Sequence, residues 1–372
     1  MIRGVPTFAA VVVLFLCLCV PAGATFSARA QQARPNVYPG SIVTGPDGNL
    51  WFTEARGIER LTTSGKFRLF RVPGLGGSGG GDAPSSLAID KTGQVWFTSG
   101  QRIGRLDAHG RITLFPVPKS LGYPTVFSDP QGQLWRMLLL EPGDTTHAAF
   151  AHVTPEGKMT PIFSLQAATL SGLTVARDGR FWFTETRITD PTQGSGPMYA
   201  DWILPDGRSA RFPLPRTVAN LCDPKDCLLA SDITTSSDGS MWFGYFGPAI
   251  GRVTGKGHVA VYSLPLTTLI PTSMVQGPDG NIWFGTVGYG IDRIDRTGQV
   301  TFFPVSSRLD IYGGFVDGGL ASSGLTVGRD RAMWFTMACQ KSIGRITLTG
   351  QVTRFQIPGT ATDAGSGCPS LP

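Results

Sequence analysis

The sequence predicts an all-β protein, specifically a seven-bladed β-propeller built from four-stranded antiparallel blades. A Trp, usually followed by Phe, returns seven times at intervals of 39 to 60 residues, and this period is in the range of propeller repeats. Each Trp also lies between two turns at nearly fixed distances, and most of these turns contain Gly. The seven tryptophans are Trp51, Trp96, Trp135, Trp182, Trp242, Trp283 and Trp334.

Blade 1 shows how one repeat forms four strands, a to d. Its first turn, Gly-Pro-Asp-Gly, consists of residues that favour tight turns. Strand b is apolar on both faces, as expected for a strand between two neighbouring blades. The predicted strands are 41–44, 50–53, 58–61 and 67–72, joined within hairpins by turns at 45–48 and 63–65. The last strand of the chain, 352–357, either pairs with blade 1 or completes blade 7, and the sequence leaves both closures open.

The overall composition agrees with this architecture. The chain has 49 Gly and 28 Pro but only 16% charged residues, which suits many short strands joined by tight turns. Its net charge of +6 is spread along the chain without a basic cluster interleaved with aromatic residues. We therefore predict no nucleic-acid partner.

The N-terminus has the features of an export signal. Arg3 precedes an apolar run at 8–20, which is short for a membrane span. Small residues then allow cleavage after Ala24 or Ala30. We expect an extracytoplasmic monomer, periplasmic or secreted, with no membrane span after cleavage. The predicted parts are the signal peptide 1–30, the propeller 31–360 and a Gly-rich tail 361–372.

Four cysteines remain after signal cleavage, and an even number in an oxidising compartment predicts two disulfides. Cys222 and Cys227 lie in one loop and most simply bridge each other. Cys368 in the tail then reaches back to Cys339. A zinc site is less favoured because no His or second Cys pair has matching spacing.

The long insertions indicate which face of the ring carries function. In an up-and-down blade the b–c and d–a connections lie on one face, and all the long insertions fall in those connections. Drift alone would lengthen loops on both faces, so we favour a functional interpretation. The insertions are 74–83, 138–149, 186–200, 216–230 and 306–319.

Small polar residues mark the predicted start of strand a, eleven residues before each Trp. Five of these seven positions carry hydroxyl groups, which predicts a ring of ligand-binding hydroxyls at the tunnel mouth. The alternative is that small residues simply fit where seven inner strands converge. The positions are Gly40, Ser85, Pro124, Ser171, Ser231, Thr272 and Ser323.

Carboxylates mark the predicted end of strand b, three residues after the Trp. Glu54 and Glu185 are three blades apart, and Tyr245 occupies the same position in blade 5. The two glutamates are candidates for catalysis and for holding a divalent cation, Mg²⁺ in particular. As solvated strand ends they would need no role. Glu141 and His147, in the blade 3 insertion, are further candidates for ligand binding and catalysis respectively.

An Arg recurs at a fixed position of strand c, where we expect hydrogen bonds between blades. Blade 3 has His152 there, and blade 4 has Trp202, which we expect to pack beneath the largest insertion. The recurring residues are Arg60, Arg105, Arg252, Arg293 and Arg345.

The blade sequences resemble the repeat of the virginiamycin B lyase (streptogramin lyase) family. The segment from Gly45 to Glu54 carries the likeness most clearly, and the segment from Gly277 to Phe284 repeats it. The resemblance implies a seven-bladed propeller and a magnesium-dependent elimination that opens a cyclic depsipeptide at an ester linkage. It also implies glutamates at the ends of strand b, matched by Glu54 and Glu185, and histidines at the starts of strand a. None of those seven starts is His in this chain.

Three functions remain as hypotheses. The first is an exported propeller that binds a peptide, glycan or small molecule at the tunnel mouth. The second is a magnesium-dependent lyase using Glu54 and Glu185, with Glu141 and His147 as further contributors. The third is a metal-dependent hydrolase of the lactonase type, which needs more carboxylate or amide ligands at the mouth.

Overall fold

The computed structural model describes residues 39–75, 83–117, 125–139, 147–166, 170–186, 197–215, 229–245, 247–265, 271–286, 290–305, 324–338 and 340–359. These residues form seven four-stranded antiparallel sheets in a ring, so the predicted all-β propeller is confirmed. Among the described residues, no helix has the length and apolar character that a membrane span requires.

Each blade consists of four consecutive strands, a to d from the inside outwards. Blades 1 and 2 contain β1 (Ile42–Thr44), β2 (Leu50–Glu54), β3 (Gly57–Leu61), β4 (Phe67–Arg71), β5 (Pro84–Ile89), β6 (Val95–Ser99), β7 (Arg102–Leu106) and β8 (Ile112–Pro116). Blades 3 and 4 contain β9 (Thr125–Ser128), β10 (Leu134–Leu139), β11 (His147–Val153), β12 (Met159–Gln166), β13 (Leu170–Val175), β14 (Phe181–Thr186), β15 (Met198–Ile203) and β16 (Ser209–Leu214). Blades 5 to 7 contain β17 (Leu229–Thr235), β18 (Met241–Tyr245), β19 (Ala249–Val253), β20 (Val259–Ser263), β21 (Pro271–Gln276), β22 (Ile282–Thr286), β23 (Gly290–Ile294), β24 (Val300–Pro304), β25 (Leu325–Val327), β26 (Met333–Met337), β27 (Ser342–Ile346) and β28 (Val352–Gln356).

The ring closes without exchange of a strand between its two ends. The last strand, β28, pairs with β27 and completes blade 7. Blade 1 meets blade 7 through their inner strands, where Thr44 Oγ1 donates a hydrogen bond to Val327 O at 2.7 Å. The closure that the sequence left open is therefore blade 7 completed by its own last strand.

The hydrophobic core is divided into seams between successive blades. Alternate residues of a strand point to opposite faces of the sheet, so the Trp of strand b and the Phe after it face different neighbours. Trp51 of blade 1 packs with Val95 and Phe97 of blade 2. Phe52 packs on the other side, with Trp334 of blade 7. Each Trp–Phe pair thus holds its blade to both neighbours.

In blades 2, 3, 5, 6 and 7 the indole of the recurring Trp donates a hydrogen bond to a residue of the a–b turn. In blade 7, Trp334 Nε1 donates to Asp330 Oδ1 at 3.0 Å. Arg345 Nε lies 2.6 Å from Asp330 Oδ2, and its guanidinium lies 5.9 Å from the indole centroid. Trp, turn Asp and strand-c Arg therefore form one unit, and its role is structural.

The predicted hydrogen bonds between blades from the strand-c arginines are confirmed in blades 2, 5 and 6. Arg105 Nη1 donates to Pro155 O of blade 3. Arg252 Nη1 donates to Arg296 O of blade 6 at 3.4 Å. Arg293 Nη1 donates to Leu348 O of blade 7, also at 3.4 Å. Each bond reaches the c–d turn of the following blade.

Blades 3 and 4 replace this Arg in different ways. His152 stands edge-on to Trp135, with ring centroids 5.5 Å apart. Trp202 pairs with Trp182 across the sheet, and the Arg180 guanidinium lies 4.6 Å from the Trp202 ring. Trp202 therefore lies beside the a–b turn, and the expectation that it packs beneath the insertion at the other end of the blade is wrong.

Strand pairing extends further into the insertions than the sequence indicates. Residues 138–139 and 147–149 belong to β10 and β11, and residues 198–200 belong to β15. Continued antiparallel pairing satisfies backbone groups that a loop would leave to solvent. The predicted bounds of the blade 3 and blade 4 insertions are therefore too wide.

Candidate functional site

Strand order places the starts of strands a and the ends of strands b on one face of the ring. The b–c and d–a connections, in which the sequence has its long insertions, lie on the same face. We call it the insertion face. Strand b of blade 1 ends there at Glu54 and strand b of blade 4 at Thr186, one residue after Glu185.

Glu54 is buried and held by a neighbouring arginine. Its side chain is the last of β2 and is 1% exposed. Arg56 Nε lies 2.9 Å from Oε1 and 3.2 Å from Oε2, and Arg56 Nη2 lies 3.0 Å from Oε2. Because both carboxylate oxygens accept from one guanidinium, this is a forked, charge-assisted pair of the strong type.

A second carboxyl, Glu59, shares the strand face of Glu54. It lies on β3 opposite Phe52 and is 4% exposed, and its Oε2 has no hydrogen-bond partner. Burial, and then the charge of Glu54, raise the pKa of Glu59 to about 7, against an opposing effect of Arg56. Glu59 falls inside strand c, away from the positions counted from the Trp, so spacing along the sequence does not reveal it.

Glu185 belongs to a buried cluster of charges on blade 4. Its Oε1 lies 2.6 Å from Nη2 of Arg211, whose Nε lies 2.7 Å from Oδ1 of Asp201. The Arg211 guanidinium also lies 4.9 Å from the ring centroid of Tyr199. One arginine thus compensates two buried carboxylates.

The two predicted glutamates lie in different seams. Glu54 shares its strand face with Phe52, which packs on blade 7. Glu185 shares its strand face with Phe183, which packs on Trp135 of blade 3. Within the described ranges, no group of three or more His, Cys, Asp or Glu side chains has the arrangement of a metal site. Together with the arginine partners, this means that the described residues do not fit a Mg²⁺ site built on this pair.

The strand-a hydroxyls that the structure describes have different environments. Ser85 Oγ lies 2.8 Å from Thr98 Oγ1 and forms a hydrogen bond with it. Thr272 is 7% exposed, and its Oγ1 is buried without a hydrogen-bond partner. Thr272 is therefore a described hydroxyl at the mouth that has no hydrogen-bond partner within the protein.

Tyr245 lies in the core rather than on the open surface of the insertion face. Its side chain is fully buried in the cluster between blades 4 and 5, and burial raises its pKa. The hydroxyl donates to Pro215 O at 3.4 Å. Tyr245 does end strand b of blade 5 on the insertion face. Its hydroxyl, however, is already hydrogen-bonded within the protein.

Several predicted residues lie outside the description. His147 begins β11 opposite Gln166, at the insertion-face end of the strand, and its side chain is not described. The side chains of Ser171 and Ser231 are likewise not described, and their backbones lie in β13 and β17. The residues outside the described ranges are Glu141, Ser323, Cys222, Cys227, Cys339 and Cys368. Their roles, the two disulfides included, stay predictions.

The residue that follows each predicted hydroxyl position is polar in several blades, and its side chain hydrogen-bonds to the backbone at strand a of the next blade. Ser86 Oγ accepts from Val126 N of the next blade at 3.0 Å. Asp232 Oδ2 accepts from Met274 N at 3.0 Å, and Ser273 plays the same part in blade 6. Burial raises the pKa of Asp232 to about 7, against its backbone hydrogen bonds.

These joining residues are not evident from the sequence, because strand a is bulged in several blades. Register shifts interrupt a–b pairing at Pro84/Leu87, Leu229/Ile233 and Thr272/Met274. A bulge inserts a residue and redirects the side chains that follow it. Counting back from the Trp therefore finds the end of the strand but not the side chain that faces the neighbouring blade.

Fold and site together define a seven-bladed propeller in which two strands b carry a buried glutamate near their insertion-face ends, each ion-paired with an arginine. The sequence model of the Virginiamycin B lyase family matches residues 22–220 and 205–367. The chain therefore belongs to the Virginiamycin B lyase family.

Solved structures with the same fold include two lyases and one extracellular domain. A streptogramin B lyase is 23% identical, with 87% of this chain and 95% of that chain covered and a TM-score of 0.62. The virginiamycin B lyase from Staphylococcus aureus is 22% identical, with 83% and 94% covered and a TM-score of 0.63. The extracellular domain of a hybrid two component system from B. thetaiotaomicron is 10% identical, with 88% and 39% covered and a TM-score of 0.57. At these identities the likeness concerns the fold alone. No curated protein matches the chain.

Proposed function

We propose that this protein is an exported, ligand-binding member of its family that binds a peptide, glycan or small molecule over the tunnel mouth on the insertion face. The observation that carries the proposal is the arginine partner of each glutamate at a strand-b end. Glu54 is forked onto Arg56, and Glu185 is held by Arg211. The charge of each carboxylate is already compensated by its arginine, and drawing the carboxylate away to a cation would leave that arginine with less compensation.

The starts of strand a support binding over elimination. An elimination needs a base with a suitable pKa close to the proton that it removes. The seven starts carry Gly, Ser, Thr and Pro, and the hydroxyl of Thr272 is buried without a partner. Such groups serve as hydrogen-bond donors and acceptors to a ligand, a role common in binding sites.

Export rests on the N-terminal residues. The apolar run at 8–20 and the small residues before Ala24 and Ala30 are typical of a signal peptide. A similar propeller in B. thetaiotaomicron is an extracellular domain, which is consistent with work outside the cytoplasm.

One observation favours the alternative, an elimination reaction of the kind that the family name describes. The carboxyl of Glu59 is buried beside Glu54, and burial raises its pKa to about 7, the range in which a general base is most effective. If the protein is a lyase, Glu59 is the described residue best suited to take the proton.

Incubation of the mature protein with virginiamycin B and Mg²⁺, followed by liquid chromatography and mass spectrometry, separates these functions. Elimination gives a ring-opened isomer of unchanged mass, whereas hydrolysis adds the mass of one water. We expect neither product, with the Staphylococcus aureus enzyme as positive control. An isomer that forms with the wild type but not with Glu59→Gln would establish the alternative.

Ligand binding is tested by a thermal-shift screen against linear peptides, oligosaccharides and intact virginiamycin B. We expect at least one class to raise the Tm of the wild type. We also expect Thr272→Val, which removes the unpaired hydroxyl, to reduce that shift. A screen in which no class changes the Tm would contradict the binding function.

A further inference from the structure

Arg136 occupies a position that is an aromatic core residue in every other blade. It follows Trp135 on strand b of blade 3, where the repeat otherwise has Phe. The signal is visible in the sequence as Trp-Arg in place of Trp-Phe. The corresponding residues are Phe52, Phe97, Phe183, Phe243, Phe284 and Phe335.

The guanidinium of Arg136 is buried, and two of its nitrogens have no hydrogen-bond partner among the described residues. The side chain is 1% exposed, and its Nε and Nη1 make no hydrogen bond. Burial lowers the pKa of Arg136 to about 10, so the group still carries its charge at neutral pH. A buried charge without a counter-charge is strongly unfavourable. The buried guanidinium therefore calls for a negatively charged group close to it.

Blade 3 does not supply a counter-charge from the neighbouring strands. Arg136 pairs with Val126 on one side and with Ala151 on the other. Three other blades have an acid on strand c at the position of Ala151, namely Glu59, Asp201 and Asp292. The cation thus lies in a blade whose matching strand-c residue is apolar.

The facing side of the same seam is polar. Leu134, two residues before Arg136, packs with Trp96 of blade 2, so Arg136 faces blade 2. Thr98, two residues after Trp96, faces blade 3 for the same reason. Thr98 Oγ1 lies 2.8 Å from Ser85 Oγ and 2.8 Å from Ser86 Oγ.

This hydroxyl cluster is anchored directly beside Arg136. Ser86 Oγ accepts from Val126 N at 3.0 Å, and Val126 is the cross-strand partner of Arg136. Ser86 is 4% exposed and Thr98 is fully buried. A cation on one wall and hydroxyls on the other form a lining that suits an oxyanion.

We propose that the seam between blades 2 and 3 binds a carboxylate or phosphate group through the guanidinium of Arg136. Arginine matches both anions because its planar donors form parallel hydrogen bonds to two oxygens. The site is distinct from Glu54 and Glu185, which lie in other seams, and it stands whether or not the protein is a lyase.

The test is the Tm of the mature protein titrated with inorganic phosphate or acetate, against chloride at equal ionic strength. We expect a saturable rise of several degrees with at least one of the two anions. The larger response identifies the group, phosphate or carboxylate. Equal Tm values in all three salts would overturn the proposal.

Variants assign the effect to Arg136. Arg136→Met keeps the length of the side chain and should abolish the anion-dependent rise, while Arg136→Lys keeps the charge but not the fork and should reduce it. Lys158→Met is the control, because it removes one positive charge from an exposed residue beside the c–d turn of blade 3, at the end remote from the insertion face. An undiminished rise in Arg136→Lys and in any folded Arg136→Met protein would overturn the assignment.

Discussion

Arg331 holds the backbone conformation that Gly supplies in the other a–b turns. Its φ is +61°, in the left-handed region, and its N donates to Gly328 O at 2.9 Å. Gly280, in the equivalent turn of blade 6, has a φ of +81°. L-residues with a side chain are disfavoured in this region by roughly 1–2 kcal/mol. The turn of blade 7 is therefore a point of stored strain.

Arg331→Gly should stabilise the protein by about 1 kcal/mol, measured as the free energy of unfolding in urea. The hydrogen bond from Arg331 Nη2 to Pro278 O is exposed and long, at 3.3 Å, so its loss offsets little. Gly280→Ala is the control and should destabilise by a similar amount, because a φ of +81° disfavours a residue with a Cβ. The new Cβ meets no atom within 4 Å, so no steric clash adds to that cost. Equal stability of all three proteins would show that the strain is absent.

At the residue scale, the sequence predicts which positions reach the insertion face better than it predicts their partners. Spacing from the Trp locates Glu54 and Glu185 at strand-b ends. The partner of Glu185, Arg211, is two strands away in the sheet, and only pairing register brings the two together. Arg136 is the opposite case, since its anomaly is visible in the repeat but its burial is not.

At the element scale, side chains hydrogen-bond the inner strands of neighbouring blades to one another. Asp232 is one of these linking side chains, and its carboxyl has a shifted pKa. It links strand a of blade 5 to Met274 of blade 6. Burial raises its pKa from 3.8 to about 7. The folded protein therefore holds a proton that the unfolded chain releases as the pH rises through this window. Stability contributed by this group decreases as the pH rises from about 4 to 7.

Asp232→Asn should remove this contribution and make the free energy of unfolding less dependent on pH between 4 and 7. The wild-type loss that disappears is at most on the order of 4 kcal/mol across the window. Urea titrations at several pH values measure it. Glu59→Gln should reduce the pH dependence in the same way, because the pKa of Glu59, in another seam, is also raised to about 7. Parallel profiles for wild type and Asp232→Asn would contradict the assignment.

The strands were predictable because the same pattern of turns and apolar residues occurs in each of the seven repeats. Turn residues and the apolar strand b fixed the 28 strands and their order, and the structure agrees. Bulges in strand a and the extended pairing at 147–149 and 198–200 were not predictable, since both depend on contacts between blades and strands. Local sequence determines where a strand is, and its neighbours determine where it ends.

At the scale of the whole molecule, seven similar blades form one ring with two unlike faces. The a–b and c–d face carries the unit of Trp, turn Asp and strand-c Arg seen in blade 7, with His152 and Trp202 in place of the Arg in blades 3 and 4. The insertion face carries the variable connections and the buried charges. A shared fold does not fix function, and in this chain the departures from the repeat, Glu54, Glu185 and Arg136, carry the functional argument.

The central claim is that Glu54 and Glu185 are structural ion-pair partners of arginines rather than free metal ligands. The most direct measurement is the free energy of unfolding of Glu54→Gln and Glu185→Gln in magnesium-free urea, with the exposed turn residue Glu156→Gln as control. We predict a loss of about 1–2 kcal/mol for each of the two variants, because each breaks a short charge-assisted hydrogen bond between a buried carboxylate and an arginine, and no measurable change for the control. Unchanged or increased stability of the two variants, together with stabilisation of only the wild type by Mg²⁺, would contradict the account.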